Sequence, residues 1–127
     1  MSGPFIFIGT HRITDGNLEA FKKDAQALVQ LVREHEPQMI AFNFFFNEDE
    51  TEVSVVQVHP DADSMLTHMQ VAHEHISQAM EELLVTKDIQ IYGATNEAVV
   101  AMITQLTQAE VPLTVKAVHF DGFTRTA

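Results

Sequence analysis

Apolar residues along the chain recur with two periods, one near two residues and one near 3.6, and their order predicts the fold. Residues 5–10 are short, aromatic and β-branched, and read as a strand that Asp15 and Gly16 break. Leu18, Phe21, Ala25, Leu28, Val29 and Val32 then fall at helical spacing, with Lys22, Lys23, Arg33 and Glu34 off that face. Thr14 or Asp15 is placed to cap this helix and Pro37 to end it. Residues 39–46 and 53–58 are strands on either side of a short polar turn, which predicts an antiparallel hairpin. After Pro60, with Asp61 or Asp63 as cap, a second helix carries Met65, Met69, Ala72, Ile76, Ala79, Met80 and Leu83 on its inner face, and residues 88–93 supply a fourth strand.

The order β-α-β-β-α-β predicts an α+β, ferredoxin-like antiparallel sheet with helices on one face. An αβ extension over residues 94–120 follows. Its helix is capped by Thr95 or Asn96 and carries Val99, Ile103 and Leu106; its strand is expected over 113–119, ahead of a loose polar tail at 121–127. With no linker, repeat or low-complexity segment, residues 1–127 read as one domain with a core over 5–93.

Alternation along the strands raises a second expectation. Phe42, Phe44 and Phe46 point one way while Ala41 and Phe45 point the other around Asn43; Phe5 and Phe7 oppose Ile6 and Ile8. Both faces of the sheet are therefore apolar, although one layer of helices covers only one of them. Either a second copy of the sheet or the appended helix and strand must shelter the other, and the homodimer is the economical choice.

Composition narrows the function. A net charge of −11, from 18 acids against 7 Lys plus Arg, repels phosphate backbones and anionic membranes, so neither nucleic acid nor membrane is an expected partner. Zero cysteines exclude disulfides and thiolate catalysis. With no basic leader ahead of the first apolar run, the expected location is cytoplasmic. Nothing matches a phosphate loop, a dinucleotide fingerprint or a nucleophile elbow.

The β-α-β-β-α-β order, Phe42-Asn43-Phe44 before an acidic turn, and the stretch from Ser64 to His73 with its His68-x4-His73 spacing resemble the antibiotic-biosynthesis monooxygenase (ABM) domains of the dimeric α/β-barrel superfamily. The resemblance spans residues 5–93. It implies two sheets stacked into a barrel-like dimer, a ligand cavity in each subunit between sheet and helices, and, in some members, oxidation of aromatic substrates by molecular oxygen without metal or flavin. Haem degradation, found in another branch, relies on a tryptophan that this chain lacks.

Candidate chemistry rests on histidine, of which there are seven. At about 100° per residue, His68 and His73 sit on opposite margins of the second helix's buried face, from which each either reaches a ligand or bonds a backbone carbonyl. His75 lies on the outer edge near His68. His73-x-His75 is too divergent on a helix to share a metal, and a site assembled with the strand histidines His11, His59 and His119 is the lesser alternative, so no metal is expected; that no cofactor is needed is what the resemblance implies. Asn43 is taken as a buried amide that orients a ligand or bonds within the core, and Tyr92 as a hydroxyl aimed into a pocket or packed at an interface. His11, His59 and His119, at or beyond strand ends, are taken as surface residues. The leading function is binding of a small apolar or aromatic molecule, with His68 or His73 as base and Asn43 or Tyr92 steadying an oxyanion in a cofactor-independent monooxygenase. The alternative is a non-catalytic dimeric ligand-binding or structural domain.

Overall fold

A computed structural model describes residues 3–107 and 110–125, without the side chains of residues 76–80 and 106–107. The elements run β1 (Phe5–Ile13), α1 (Leu18–His35), β2 (Ala41–Phe46), β3 (Glu52–His59), α2 (Ala62–Val71), α3 (His73–Gln78), β4 (Leu84–Tyr92), α4 (Glu97–Thr107) and β5 (Leu113–Lys116). The five strands form one open sheet in the order β2-β3-β1-β4-β5, not a closed barrel. The first four pair antiparallel, in the ferredoxin-like arrangement, and β5 adds to β4 in parallel. The αβ extension thus widens the sheet by one strand.

Local chemistry explains most boundaries. Asp61 accepts a hydrogen bond from the Ser64 amide at 2.9 Å and caps α2, and Asn96 accepts one from the Val99 amide to cap α4. At α1 the cap falls on Asn17 and not on Thr14 or Asp15; Thr14 is bound instead to the carbonyl of Leu83, which ties the start of α1 to the start of β4. Three strands are longer than the pattern suggested: β3 spans Glu52–His59, while β1 reaches Ile13 and β4 starts at Leu84 because those two pair with each other at that end. β5 is shorter, ending at Lys116. The second predicted helix is broken: α2 stops at Val71, α3 starts at His73, and a π-helical turn over Ala79–Leu83 leads into β4. The inward placement predicted for Ile76, Ala79, Met80 and Leu106 lies outside the described side chains, and the end of the predicted loose tail, 126–127, lies outside the described residues.

Residues 5, 7, 9, 11 and 13 of β1 and 53, 55, 57 and 59 of β3 face the helices. Three apolar clusters fill that side. Phe5, Met65, Ile91 and Val99 centre the first; Ile13, Phe21, Val53 and Leu84 the second; Leu28, Val32 and Ala72 the third. Val99 and Ile103 of α4 pack on this same side, so the extension does not shelter the opposite face. There Ile6, Ile8, Ala41, Phe45, Val56 and Val58 share a surface, with Phe45 58% exposed.

Candidate functional site

The three clusters do not close on one another. Between them lies an apolar cavity of about 100 Å³, walled by Phe7, Phe21, Leu28, Phe44, Met65 and Ile89 among others. A few polar side chains interrupt that lining, namely His11, Asp24, Gln57, His68 and His75. This is the usual make-up of a small-molecule site, in which scattered polar groups orient a ligand held by hydrocarbon.

His68 is the deepest of them. It projects from α2 with 1% of its surface exposed, and its Nδ1 lies 3.0 Å from Oε2 of Glu36, a side chain with no exposure at all. Glu36 follows the last residue of α1, one helical turn beyond Val32 on the buried stripe, so the helix end carries a carboxylate into the core. In a neutral ring whose Nδ1–H donates to that carboxylate, Nε2 keeps its lone pair. No described residue bonds that Nε2. The Phe42 ring lies against the imidazole, with centroids 5.3 Å apart.

Six ångströms from His68, centroid to centroid, stands the ring of His59. It is wholly buried, with Nδ1 2.7 Å from Ser64 Oγ and Nε2 2.9 Å from Gln57 Oε1. Burial above all presses its pKa down to about 4, so the ring is neutral near pH 7. His11, also buried, is bonded through Nδ1 to Thr86 Oγ1 at 2.9 Å, and burial lowers its pKa to about 4. A register slip between β1 and β4 at Thr10/His11 turns Thr86 toward it. Gly9 makes room: a Cβ there would lie 3.0 Å from His11 Nε2 and 3.1 Å from Phe7 Cε1. At another part of the lining His75 Nδ1 meets Asp24 Oδ1 at 3.3 Å, both partly exposed.

Set against the sequence, the site keeps His68 and exchanges its companions. His73 is exposed, because the break at Ala72 turns it out of the α2 register and brings His75 in. Asn43 is exposed on the outer strand β2 and is not a buried amide: alternation places it with Ala41 and Phe45, on the face away from the helices. Tyr92 is on that face too, its hydroxyl donating to Gln90 Oε1 at 2.7 Å, and it does not line the cavity. His11 and His59, expected at the surface, are buried, since their strands run further than predicted or end beneath α2; His119 is exposed as expected. Glu36, Gln57 and Asp24 were not anticipated. The stripe 21-25-28-32 extends to 36, and the alternation 53-55-57-59 extends to Gln57 and His59, so two of the three carried a readable signal.

No protein-family model matches the sequence, and no curated protein matches it. Solved structures do. MupZ from Pseudomonas fluorescens superposes with a TM-score of 0.72 over 96% of this chain and 91% of its own, at 20% identity. PA3566 from Pseudomonas aeruginosa gives 0.60 over 72% of this chain and 91% of its own, at 24% identity. A candidate antibiotic biosynthesis monooxygenase from Bacteroides thetaiotaomicron gives 0.57 over 70% of this chain and 85% of its own, at 12% identity. The share matched by MupZ is too large to leave out the αβ extension. The chain has the ABM-type fold, and these likenesses speak to fold alone.

Proposed function

We propose that the cavity binds a small, largely apolar molecule bearing one ionisable hydroxyl or enol, and that His68 removes its proton through Nε2 while Glu36 holds the ring. The observation that carries this is the fully buried His68–Glu36 pair, whose His68 lines a mostly apolar cavity, an arrangement of base and orienting carboxylate. The bound anion would then react with molecular oxygen without a cofactor: one oxygen atom replaces the hydrogen of the attacked carbon and becomes a carbonyl, and the other leaves as water with that hydrogen and the proton held by His68. Solved structures of the same fold that are named as candidate monooxygenases or a candidate oxidoreductase support this reading.

Size sets the substrate class. An apolar cavity of about 150 Å³ takes benzene, so about 100 Å³ is at the lower limit for one ring, fits a short branched chain and excludes a polycycle. That small space also favours a second reading, ligand binding without turnover, since substrate and oxygen would have to share it. Thermal-shift titration with single-ring phenols, followed by oxygen-uptake measurement, tests both. Stabilisation that disappears in His68→Leu, together with oxygen uptake, supports the enzyme; stabilisation alone supports the binder; neither response to any small phenol sinks the proposal.

The proposal includes a homodimer formed by the open sheet face. Ile6, Ile8, Val56, Val58 and Phe45 make that face apolar on the β1-β3-β2 side, and the extension packs elsewhere. Two such faces, stacked, would complete a barrel.

A further inference from the structure

The polar chain behind His59 fixes the direction of one more group. An amide oxygen only accepts hydrogen bonds. Because Gln57 Oε1 is the atom 2.9 Å from His59 Nε2, that nitrogen carries the hydrogen. His59 Nδ1 is then the acceptor, and the Ser64 hydroxyl, 2.7 Å away, donates to it. Gln57 is itself 4% exposed, lines the cavity, and has its oxygen occupied; its Nε2 donors meet no acceptor among the described residues. The cavity lining therefore includes an acceptor on His68 and a donor on Gln57 that no described residue occupies.

We propose that Gln57 is a catalytic residue that holds the substrate oxygen as His68 takes its proton, and that His59 and Ser64 are positioning residues that keep the amide turned nitrogen-first into the cavity. The inference rests on the cavity-binding reading above and specifies its ligand as a phenol or enol, whose single oxygen gives a proton to one group and accepts a hydrogen bond from the other. In the step the O–H bond breaks, the proton moves to His68 Nε2, the electron pair stays on oxygen, and the Gln57 N–H bonds that developing anion. Reversal of the amide would present a second acceptor and repel it, which is why a neutral, tautomerically fixed histidine behind the glutamine matters.

The test uses two probes of one shape, 4-nitrophenol and nitrobenzene, with binding followed by absorbance across pH. The full chain is expected to bind both and to prefer the phenolate, so that bound 4-nitrophenol ionises at lower pH than it does in solution. Gln57→Leu should weaken phenolate binding roughly ten- to hundred-fold, the worth of one hydrogen bond to a charge, and leave nitrobenzene within about twofold. Gln57→Glu keeps an acceptor for His59 but removes the donor, and should lose the phenolate preference likewise. His59→Leu should reproduce the Gln57→Leu phenotype, and His59→Gln, whose amide can still donate to Gln57, should restore part of the preference. A merely structural role would weaken both probes together. If the phenolate-to-nitrobenzene ratio is the same in both Gln57 variants as in the parent, the role of Gln57 is overturned while the cavity reading stands; if the parent binds neither probe, both fall.

Discussion

Each face of the sheet carries some residues suited to the other. On the covered face, where burial calls for hydrocarbon, β1 and β3 place His11, Gln57 and His59, with exposures of 8% or less. On the open face, where water calls for polar groups, the same two strands place Ile6, Ile8, Val56 and Val58. Neither choice is favourable for a monomer that only has to fold. A buried polar group costs free energy unless it is bonded, and an open apolar patch invites association. The inversion is intelligible if the covered face must do chemistry and the open face must meet another molecule. Energetics alone would have exchanged the two sets.

The open face gives the largest test. Val56 sits at the centre of the apolar patch, opposite Ile8 on one side and Asn43 on the other. Val56→Asp would bury two like charges across a two-fold interface, and association should weaken at least a thousandfold, about 4 kcal/mol. Sedimentation is expected to show the parent at twice 14.2 kDa at micromolar concentration and the variant at 14.2 kDa. A parent that sediments as a monomer removes the reason for the patch.

The covered face offers the next. Glu36→Leu leaves the His68 Nδ1–H buried without a partner and should cost about 3 kcal/mol, read by urea unfolding. Replacing both residues by leucine should recover most of that loss, because one carboxylate oxygen, Oε1 of Glu36, already lies buried without a partner. Recovery would mean that the pair is kept for something other than stability. If the double variant is as unstable as the single one, the pair is structural and the comparison between faces weakens.

Acid is a third probe of the same face. His11 and His59 have folded-state pKa values of about 4 against 6.5 unfolded. Below pH 6.5 the unfolded chain binds protons that the folded one refuses, so stability falls as pH drops from 6.5 toward 4 and levels out beneath it. The ceiling is about 3 kcal/mol for each histidine. Melting temperature measured against pH should therefore decline less steeply over that window in His11→Asn and in His59→Gln than in the parent. Equal slopes would mean that these rings are not held neutral.

The same inversion explains what was legible in the sequence. Element order, the hairpin and the apolar open face follow from periodicity, and the caps were narrowed by residue type to Asp61 or Asp63 and Thr95 or Asn96, of which Asp61 and Asn96 serve; all are local properties. His68 was legible because it lies early in α2, before the break. His73 and His75 exchanged roles because a single irregular residue, Ala72, resets the helical phase, and no composition rule marks it. Asn43 stands out by type as a polar residue among phenylalanines, yet strand alternation assigns it to the open face, where parity and not residue type decides burial. Applied without exception, the same parity rule reaches Gln57 and His59. Asp24 precedes Ala25 on α1 and meets His75 only through tertiary packing, so nothing local points to it.

The smallest expected effect is the sharpest discriminator between the faces. Tyr92 is the one tyrosine, and by residue type alone it is a natural oxyanion donor. Its hydroxyl donates to Gln90, which in turn donates to Asp88 Oδ2 at 3.1 Å, a short polar chain along the open face of β4. Removing that hydroxyl breaks one partly exposed hydrogen bond, worth about 1 kcal/mol or less, and changes nothing that lines the cavity. Tyr92→Phe should therefore bind 4-nitrophenol as the parent does while lowering the melting temperature slightly or shifting self-association. A loss of phenolate binding in this variant would place Tyr92 within reach of the ligand. Since the side chain faces away from the helices of its own subunit, a second copy would then have to bring it there, and the two faces would belong to one site.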